Sequence, residues 1–185
     1  HDPFLMKDMD KAVDKIQKSK SNRIMILGDY DVDGTTSTAM LYKYFNDIGF
    51  DLLIYIPDRY KEGYGVSNKS IEYAETNNIS LIITVDCGIK ALEQVDLANS
   101  KNIEVIILDH HLPDQKMPNA YAVINPKQSE CKYPFKDLCG CGIGYKLITA
   151  YNTTFNNLMD VFQFLDFVAL ATISDMMPLV SENRL

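Results

Sequence analysis

Short runs of apolar, mostly β-branched residues alternate with longer stretches of helical periodicity, and this alternation constrains the fold most. Because the runs are apolar on both faces and helix-length segments separate them, they predict an α/β fold. We expect a mostly parallel, roughly five-stranded sheet with helices on both faces. The predicted strands cover residues 23–27, 52–56, 81–85, 104–108 and 121–124.

The segments between these runs predict the helices. Ser67 is a plausible N-cap, because its hydroxyl can accept a hydrogen bond from the first helical turn. Three glycines, Gly140, Gly142 and Gly144, predict a turn that leads into a helix from about Tyr145. The other predicted helices cover residues 8–19, 35–47, 67–77, 91–100 and 158–172.

Length and composition predict one globular domain over residues 1–185, with an N-terminal lead-in helix at about 8–19. Because the first residue is His1 rather than Met, we expect a fragment of a longer chain. No apolar run approaches the ~20 residues needed to cross a bilayer, so no membrane association is expected. The four cysteines form no CxxC pair, which favours reduced thiols and a cytoplasmic location. The net charge of −7 argues against a basic nucleic-acid-binding face, although bound cations would reverse the local field.

Acidic residues and histidines follow the predicted strands at the points where the strands end. In a parallel sheet these ends lie along one edge, which is where ligands bind in such folds. Carboxylates crowded there repel one another unless cations neutralise them. The residues concerned are Asp29, Asp31 and Asp33 after the first strand, Asp86 after the third, Asp109, His110 and His111 after the fourth, and Asp175 after the last helix.

Carboxylates together with imidazole suit Mn²⁺ or Mg²⁺ better than a thiol-seeking metal. Two such ions ~3.5–4 Å apart, bridged by a shared carboxylate, form a site for phosphoryl transfer. The sequence therefore predicts two divalent cations at this edge of the sheet.

Each motif has a simpler interpretation when taken alone. The DxDxDG stretch resembles the start of a calcium loop, but the twelfth position, where that loop needs Glu, is Met40. The VDCG stretch could be an ordinary strand end, and Asp-His-His a solvated turn. The glycines at 140, 142 and 144 fit a tight helix entry as well as a phosphate cradle. The occurrence of all three acidic motifs at strand ends favours the metal site.

Taken in order, these motifs resemble the DHH phosphoesterase superfamily: DYDVDG at 29–34, VDCG at 85–88, LDHH at 108–111 and SDMMPL at 174–179. Three further stretches resemble the bacterial RecJ exonucleases within it: GDYDVDGTTSTAML at 28–41, PDRYKEGYGVS at 57–67, and INPK at 124–127 followed by LCGCGIGYKL at 138–147. The resemblance covers essentially the whole chain. It implies a metal-dependent exonuclease that degrades single-stranded DNA from the 5′ end to mononucleotides, with single-stranded DNA and further C-terminal domains as partners.

The resemblance also implies roles for individual residues. Asp86 would bridge the two ions, Asp109 would orient a ligand, and His111 would contact the scissile phosphate or assist proton transfer. Some members of the superfamily have a metal-binding His four residues before the position of Asp31. Leu27 stands there in this sequence and cannot bind a metal, so Asp29 or a water takes that place. The remaining implied ligands are Asp31 for the first ion and Asp33, His110 and Asp175 for the second.

A segment with cations, aromatic rings and glycines follows the second strand and is the candidate path for the DNA strand, with a solvated loop as the alternative. Its candidate substrate-binding residues are Arg59, Tyr60, Lys61, Tyr64 and Gly65, joined more weakly by Asn125 and Lys127. Three other functions stay open: a phosphodiesterase for short RNA or dinucleotides, a non-catalytic scaffold with the same fold, and a pyrophosphatase.

Overall fold

A computed structural model describes residues 1–184 of the chain. Its centre is a five-stranded sheet made of β1 (Ile24–Gly28), β2 (Leu52–Tyr55), β3 (Leu81–Val85), β4 (Glu104–Leu108) and β5 (Ala122–Ile124). The spatial order is β2-β1-β3-β4-β5, and all four pairings are parallel. The α/β class, the number of strands and the parallel pairing are confirmed.

Six α-helices cover the sheet: α1 (Met9–Lys18), α2 (Val32–Asp47), α3 (Asn68–Thr76), α4 (Leu92–Ser100), α5 (Gly140–Thr154) and α6 (Leu165–Ser174). Short 3₁₀ helices cover Pro3–Leu5, Val161–Phe164 and Ser181–Arg184. Ser67 caps α3 as predicted, since its side chain accepts a hydrogen bond from the Ser70 N–H. None of the helices in residues 1–184 combines the length and apolarity that crossing a bilayer requires.

The two faces of the sheet have separate hydrophobic cores. One core joins α1, α2, α5 and α6 to the sheet through residues such as Tyr44, Phe45 and Tyr151, which are buried. The other lies under α3 and α4 and includes Ile71, Val95 and Ile107. Burial on both faces explains why strands such as LIITV are continuously apolar rather than alternating.

The glycines near residue 140 do not form the predicted turn. They lie in the first turns of α5, which begins at Gly140 rather than near Tyr145. A Cβ on Gly140 would come within 2.7 Å of the Asp86 Cβ, and one on Gly144 within 3.0 Å of the Met40 Cε. Glycine lowers helix propensity, but here close packing requires it, and tertiary structure overrides the local preference.

The predicted start of the last helix, residue 158, is also wrong. A 3₁₀ turn capped by Asp160, whose side chain accepts a hydrogen bond from the Phe162 N–H, precedes α6. The α-helix therefore begins at Leu165 rather than at residue 158, and it ends at Ser174. Helix α2, in turn, begins three residues earlier than predicted, so Asp33 lies in its first turn.

Sheet order determines where a ligand can bind. In the sheet, β1 lies between β2 and β3. The chain runs from β1 to β2 on one side and then crosses to β3 on the other, so the connections diverge between β1 and β3. In doubly wound sheets, a crevice opens at the carboxyl ends of the strands at this switch point. Asp29 follows β1 and Asp86 follows β3, so both lie at this crevice.

Candidate metal centre

The predicted carboxylates and His110 converge at the switch point. One oxygen each from Asp29, Asp31 and Asp86 lies within 4.8 Å of the others. A second group with the same spacing joins His110, Asp33 and Asp175. The two groups are adjacent, because the His110 Nε2 lies 3.1 Å from the Asp86 Oδ1. Residues far apart in the chain thus form one cluster with Asp86 at its centre.

Asp31 and Asp33 are held in place by the ends of helices. The Asp31 Oδ1 accepts a hydrogen bond from the Gly34 N–H at 2.9 Å and caps α2. The Asp33 carboxylate accepts hydrogen bonds from the N–H groups of Gly140 (2.6 Å) and Cys141 (2.8 Å), at the start of α5. The positive end of the α5 dipole therefore faces a negative side chain. Of the interpretations considered for the glycines, a tight helix entry describes them, and the anion that this entry binds is Asp33.

Asp86 has an unusual backbone conformation, with a φ of +60°. Non-glycine residues in this region are uncommon, and such strain is often found at functional sites. The Asp86 N–H donates to the Leu108 carbonyl at 2.9 Å, which fixes the residue between β3 and β4. Burial, together with the nearby charge of Asp33, raises the pKa of Asp86 to about 11.

Several buried polar atoms of the cluster have no hydrogen-bond partner within residues 1–184: the Asp29 Oδ1, the Asp86 Oδ1 and both ring nitrogens of His110. The close pair of the His110 Nε2 and the Asp86 Oδ1 lacks hydrogen-bond geometry. Leaving such atoms unpaired costs about 1–3 kcal/mol each. Burial lowers the pKa of His110, so the neutral imidazole with a free lone pair is favoured. Oxygen atoms plus a neutral imidazole match the ligands of Mn²⁺ and Mg²⁺, so these residues fit divalent cations.

Asp109 and His111 form a second unit beside the cluster. The Asp109 Oδ1 accepts hydrogen bonds from the His111 backbone N–H at 3.0 Å and from its Nδ1 at 2.8 Å. Its Oδ2 accepts from the Ile89 N–H at 2.9 Å. Although burial acts to raise the pKa of Asp109, these hydrogen bonds lower it, and the bond to Asp109 raises the pKa of His111. The structure thus holds a carboxylate that orients His111 and favours its charged form.

The segment after β2 divides into a part at the cluster and an exposed part. The Tyr64 hydroxyl donates to the Asp86 carbonyl at 2.8 Å and lies 3.3 Å from the His111 Nδ1. Gly65 follows with a φ of +75°. Arg59, Tyr60 and Lys61 are exposed, and the Arg59 guanidinium lies 5.4 Å from the centre of the Tyr30 ring. Tyr64 and Gly65 are therefore brought to the site, whereas the other three residues are exposed and have no contact with the cluster within residues 1–184.

Asn125 does not present a free group to a phosphate. Its side chain is fully buried, with Nδ2 donating to the His111 carbonyl and Oδ1 accepting from the Lys127 N–H. Both ends of the amide are used inside the protein, so Asn125 supports the loop that carries His111. The hydrogen bond to Asp109 raises the pKa of His111 overall, and the Lys127 charge acts against it, so this cation is near enough to influence the imidazole.

Sequence reasoning missed the backbone donors. The N–H groups of Ile89, Gly140 and Cys141 hold Asp109 and Asp33, and no side-chain motif indicates them. The available signal is glycine: Gly88 and Gly140 stand directly before two of these donors. Adding a Cβ at Gly88 would place it 2.7 Å from the Thr84 Oγ1, so only glycine fits this turn.

The fold and the site define a doubly wound α/β protein with a carboxylate–imidazole cluster at its switch point, whose atoms suit divalent cations. Residues 23–172 match the family described as "DHH family, N-terminal domain". The chain belongs to the DHH family, as the resemblance of its motifs implied.

Curated relatives place the chain near one branch of that family. It is 43% identical over 187 aligned residues to the single-stranded-DNA-specific exonuclease RecJ of Bacillus subtilis, covering 100% of this chain and 23% of the relative. Identity to the protein of the same name from Escherichia coli is 35%, covering 96% of this chain and 33% of the relative. The chain thus spans about a quarter to a third of these relatives.

Solved structures of RecJ proteins also resemble this chain. An exonuclease RecJ bound to manganese superposes with a TM-score of 0.87 at 31% identity, covering 97% of this chain and 46% of that one. RecJ from Thermus thermophilus in complex with Mn²⁺ gives a TM-score of 0.82 at 28% identity, covering 97% of this chain and 26% of that one. The resemblance to RecJ exonucleases is confirmed.

Proposed function

We propose that this chain is the catalytic domain of a metal-dependent exonuclease that hydrolyses single-stranded DNA from the 5′ end and releases 5′-mononucleotides, in DNA repair and recombination. The observation that carries the proposal is the cluster around Asp86, whose buried and unpartnered oxygen and nitrogen atoms suit divalent cations. The names of the RecJ relatives supply the substrate, single-stranded DNA.

Two cations, Mn²⁺ or Mg²⁺, are part of the proposal. Asp29 and Asp31 would hold the first, and Asp86 would bridge both. Bound divalent cations supply Lewis acidity, polarising a phosphate and lowering the pKa of water. The second cation would be held by Asp33, His110 and Asp175, which form the second ligand group.

His111 would act on the phosphate directly. Asp109 fixes the His111 ring by accepting its Nδ1 hydrogen, and the raised pKa of His111 favours the imidazolium. A cation placed beside a phosphate oxygen stabilises the negative charge that builds up there in the transition state. Tyr64 contacts the His111 ring and the Asp86 carbonyl, and so keeps the two groups in a fixed relation.

The DNA strand would approach along Arg59, Tyr60 and Lys61, whose exposed cations and ring suit a flexible strand. Lys127 adds charge next to His111. The segments that the longer RecJ relatives have outside the matched region would complete the DNA-binding surface. A DNA-degrading activity and four cysteines that form no disulfide within the described residues both fit a cytoplasmic protein.

The test is substitution of the central ligand. Asp86→Ala should reduce Mn²⁺-dependent release of nucleotides from a 5′-labelled single strand by about 1,000-fold or more, because cation binding contributes several kcal/mol to transition-state stabilisation. The matched control is Asp96→Ala, which removes an exposed carboxylate from α4. Full activity of Asp86→Ala would refute the metal assignment.

Substrate choice is tested on the parent protein. A long single strand, the matching duplex, a dinucleotide and inorganic pyrophosphate are compared under equal Mn²⁺. We expect preference for the long single strand, with label released first from its 5′ end. Faster hydrolysis of the dinucleotide or of pyrophosphate would replace the proposed substrate with that compound.

A further inference from the structure

A cavity of about 430 Å³ opens beside His111, between the segment at Tyr64 and the start of α4. This volume falls in the ~300–1,000 Å³ range of small-molecule sites. None of the six proposed metal ligands lines the cavity, whereas Asp109 and His111 do, so the cavity adjoins the proposed centre without being part of it. Its lining includes Tyr64, Val66, Ile89, Lys90, Gln94 and His111.

The cavity and the metal centre share a rigid wall. One loop carries Asp86 at the centre and Ile89 at the cavity, with Gly88 between them at a φ of +110°. Asp109 accepts hydrogen bonds from both Ile89 and His111, and therefore fixes the cavity wall relative to the imidazole. A group bound in the cavity would keep a defined position relative to a phosphate at His111.

The lining combines an apolar wall with a few polar groups. Val66 and Ile89 supply aliphatic surface, and the Tyr64 ring is 52% exposed. Gln94 adds an amide that can donate and accept hydrogen bonds. The Lys90 ammonium lies 3.9 Å from the Asp114 carboxylate, with both side chains well exposed, so this weak pair leaves the cation accessible.

We infer that this cavity binds one unpaired nucleotide of the substrate, the unit joined to the phosphate that His111 contacts. The base would lie against Tyr64, Val66 and Ile89, the Gln94 amide would pair with its polar edge, and Lys90 would face a phosphate. This inference rests on the proposed function and names the residues that select its substrate.

The chemistry of the wall favours a nucleotide over an inorganic anion. A pyrophosphate site needs several cations and polar groups, whereas Lys90 is the only cationic side chain, besides His111, that lines this cavity in the described part of the chain. A base enters a cavity of this kind only when it is unpaired and unstacked. The cavity would thus make the enzyme select single strands at the reacting nucleotide.

Binding of thymidine 5′-monophosphate to the chain, measured by calorimetry with Mn²⁺ present, tests the inference. Gln94→Trp fills the cavity and should weaken binding by about tenfold or more, because it displaces the contacts that would hold the base. Lys90→Ala should weaken binding by about threefold, as expected for an exposed cation. Gln115→Ala, an exposed amide outside the cavity lining, is the matched control and should change nothing. Thermal unfolding and Mn²⁺ affinity measured on each variant verify that the fold and the metal centre persist.

The outcomes separate the inference from the proposed function. Unchanged nucleotide affinity in a folded Gln94→Trp variant overturns the nucleotide site, whether or not the parent hydrolyses DNA. Equal affinity of the parent for inorganic phosphate and for the nucleotide overturns it as well. Loss of nucleotide affinity in Gln94→Trp supports it, even where the parent shows no nuclease activity and the proposed function fails.

Discussion

The proposed metal centre has a part held at the edge of the sheet and a part carried by α6, and the two differ in burial. Asp29, Asp33 and Asp86 are each 1% exposed and lie at strand ends or against the start of α5. Asp175 follows the last residue of α6, and its side chain is 30% exposed. The next residue, Met176, is 89% exposed.

This difference separates proposed ligands that several packed elements hold in place from one, Asp175, whose position depends on a single helix. Register between parallel strands places Asp86 with little freedom, since its N–H is bonded to β4. Asp175 depends on α6, which is apolar on all sides yet exposes Leu170 and Ile173. Helices that are apolar all round are normally buried. We therefore expect the sheet part to be preorganised and the α6 part to adjust when a metal binds.

The largest effect should follow removal of a sheet-side ligand that also supports the fold. Asp33→Ala deletes a proposed metal ligand and leaves the Gly140 and Cys141 N–H groups without their acceptor. We expect activity to fall by about 1,000-fold. The free energy of unfolding should fall by about 1–3 kcal/mol, as for buried donors left unpaired. Nuclease assays and urea titration measure the two quantities; unchanged stability would show that α5 does not need this carboxylate.

A smaller effect is expected on the α6 side. Asp175→Ala should reduce activity by about 100-fold and weaken Mn²⁺ binding, since one ligand of the second group is lost. Its partial exposure means that the same change should leave the free energy of unfolding within about 0.5 kcal/mol of the parent. Asp166→Ala, an exposed carboxylate in the first turn of α6, is the control. A stability loss as large as that of Asp33→Ala would remove the distinction between the two parts.

The same division explains what could be predicted from sequence. Strand runs such as LIITV mark the sheet, and acids directly after them mark the ligand edge, because strand ends of a parallel sheet converge. The predicted start of α5 was wrong because the glycines near 140 have low helix propensity. Their close contacts with Asp86 and Met40 depend on long-range packing, which the local sequence does not show. Asn125 has a side-chain amide that could bind a phosphate. Its burial and its hydrogen bond to the His111 carbonyl follow from loop geometry that no local pattern encodes.

A further test concerns the pair of Asp109 and His111, to which the proposal assigns the phosphate rather than a metal. Asp109→Asn keeps the size of the side chain but removes the charge that raises the pKa of His111. We expect activity to fall about tenfold, as for other groups that orient a site. Because the pKa of His111 should drop, the loss of activity on the alkaline side should begin at lower pH than in the parent. An unchanged pH profile would mean that the imidazolium of His111 is not needed.

The smallest predicted effect is on stability, and it compares the cluster with and without metal. The folded-state pKa of Asp86 is raised to about 11 from an ordinary 3.8, so the metal-free fold binds a proton that the unfolded chain releases. The stability that this bound proton contributes is complete below the pKa of Asp86 in the unfolded chain. It is lost as the pH rises toward the pKa of Asp86 in the folded protein. Cations replace this proton, so Mn²⁺ binding should release protons.

The difference in melting temperature between Mn²⁺-loaded and metal-free protein should accordingly widen by a few degrees between about pH 6 and about pH 9. Scanning calorimetry with and without a chelator measures it. Asp86→Asn should remove a large part of the widening, because the amide does not titrate and only the raised pKa values of the buried Asp29 and Asp33 remain. Asp175→Asn should preserve most of it. If Asp175→Asn removed the widening as completely as Asp86→Asn, the effect would not come from Asp86, and the two parts of the proposed centre would not differ.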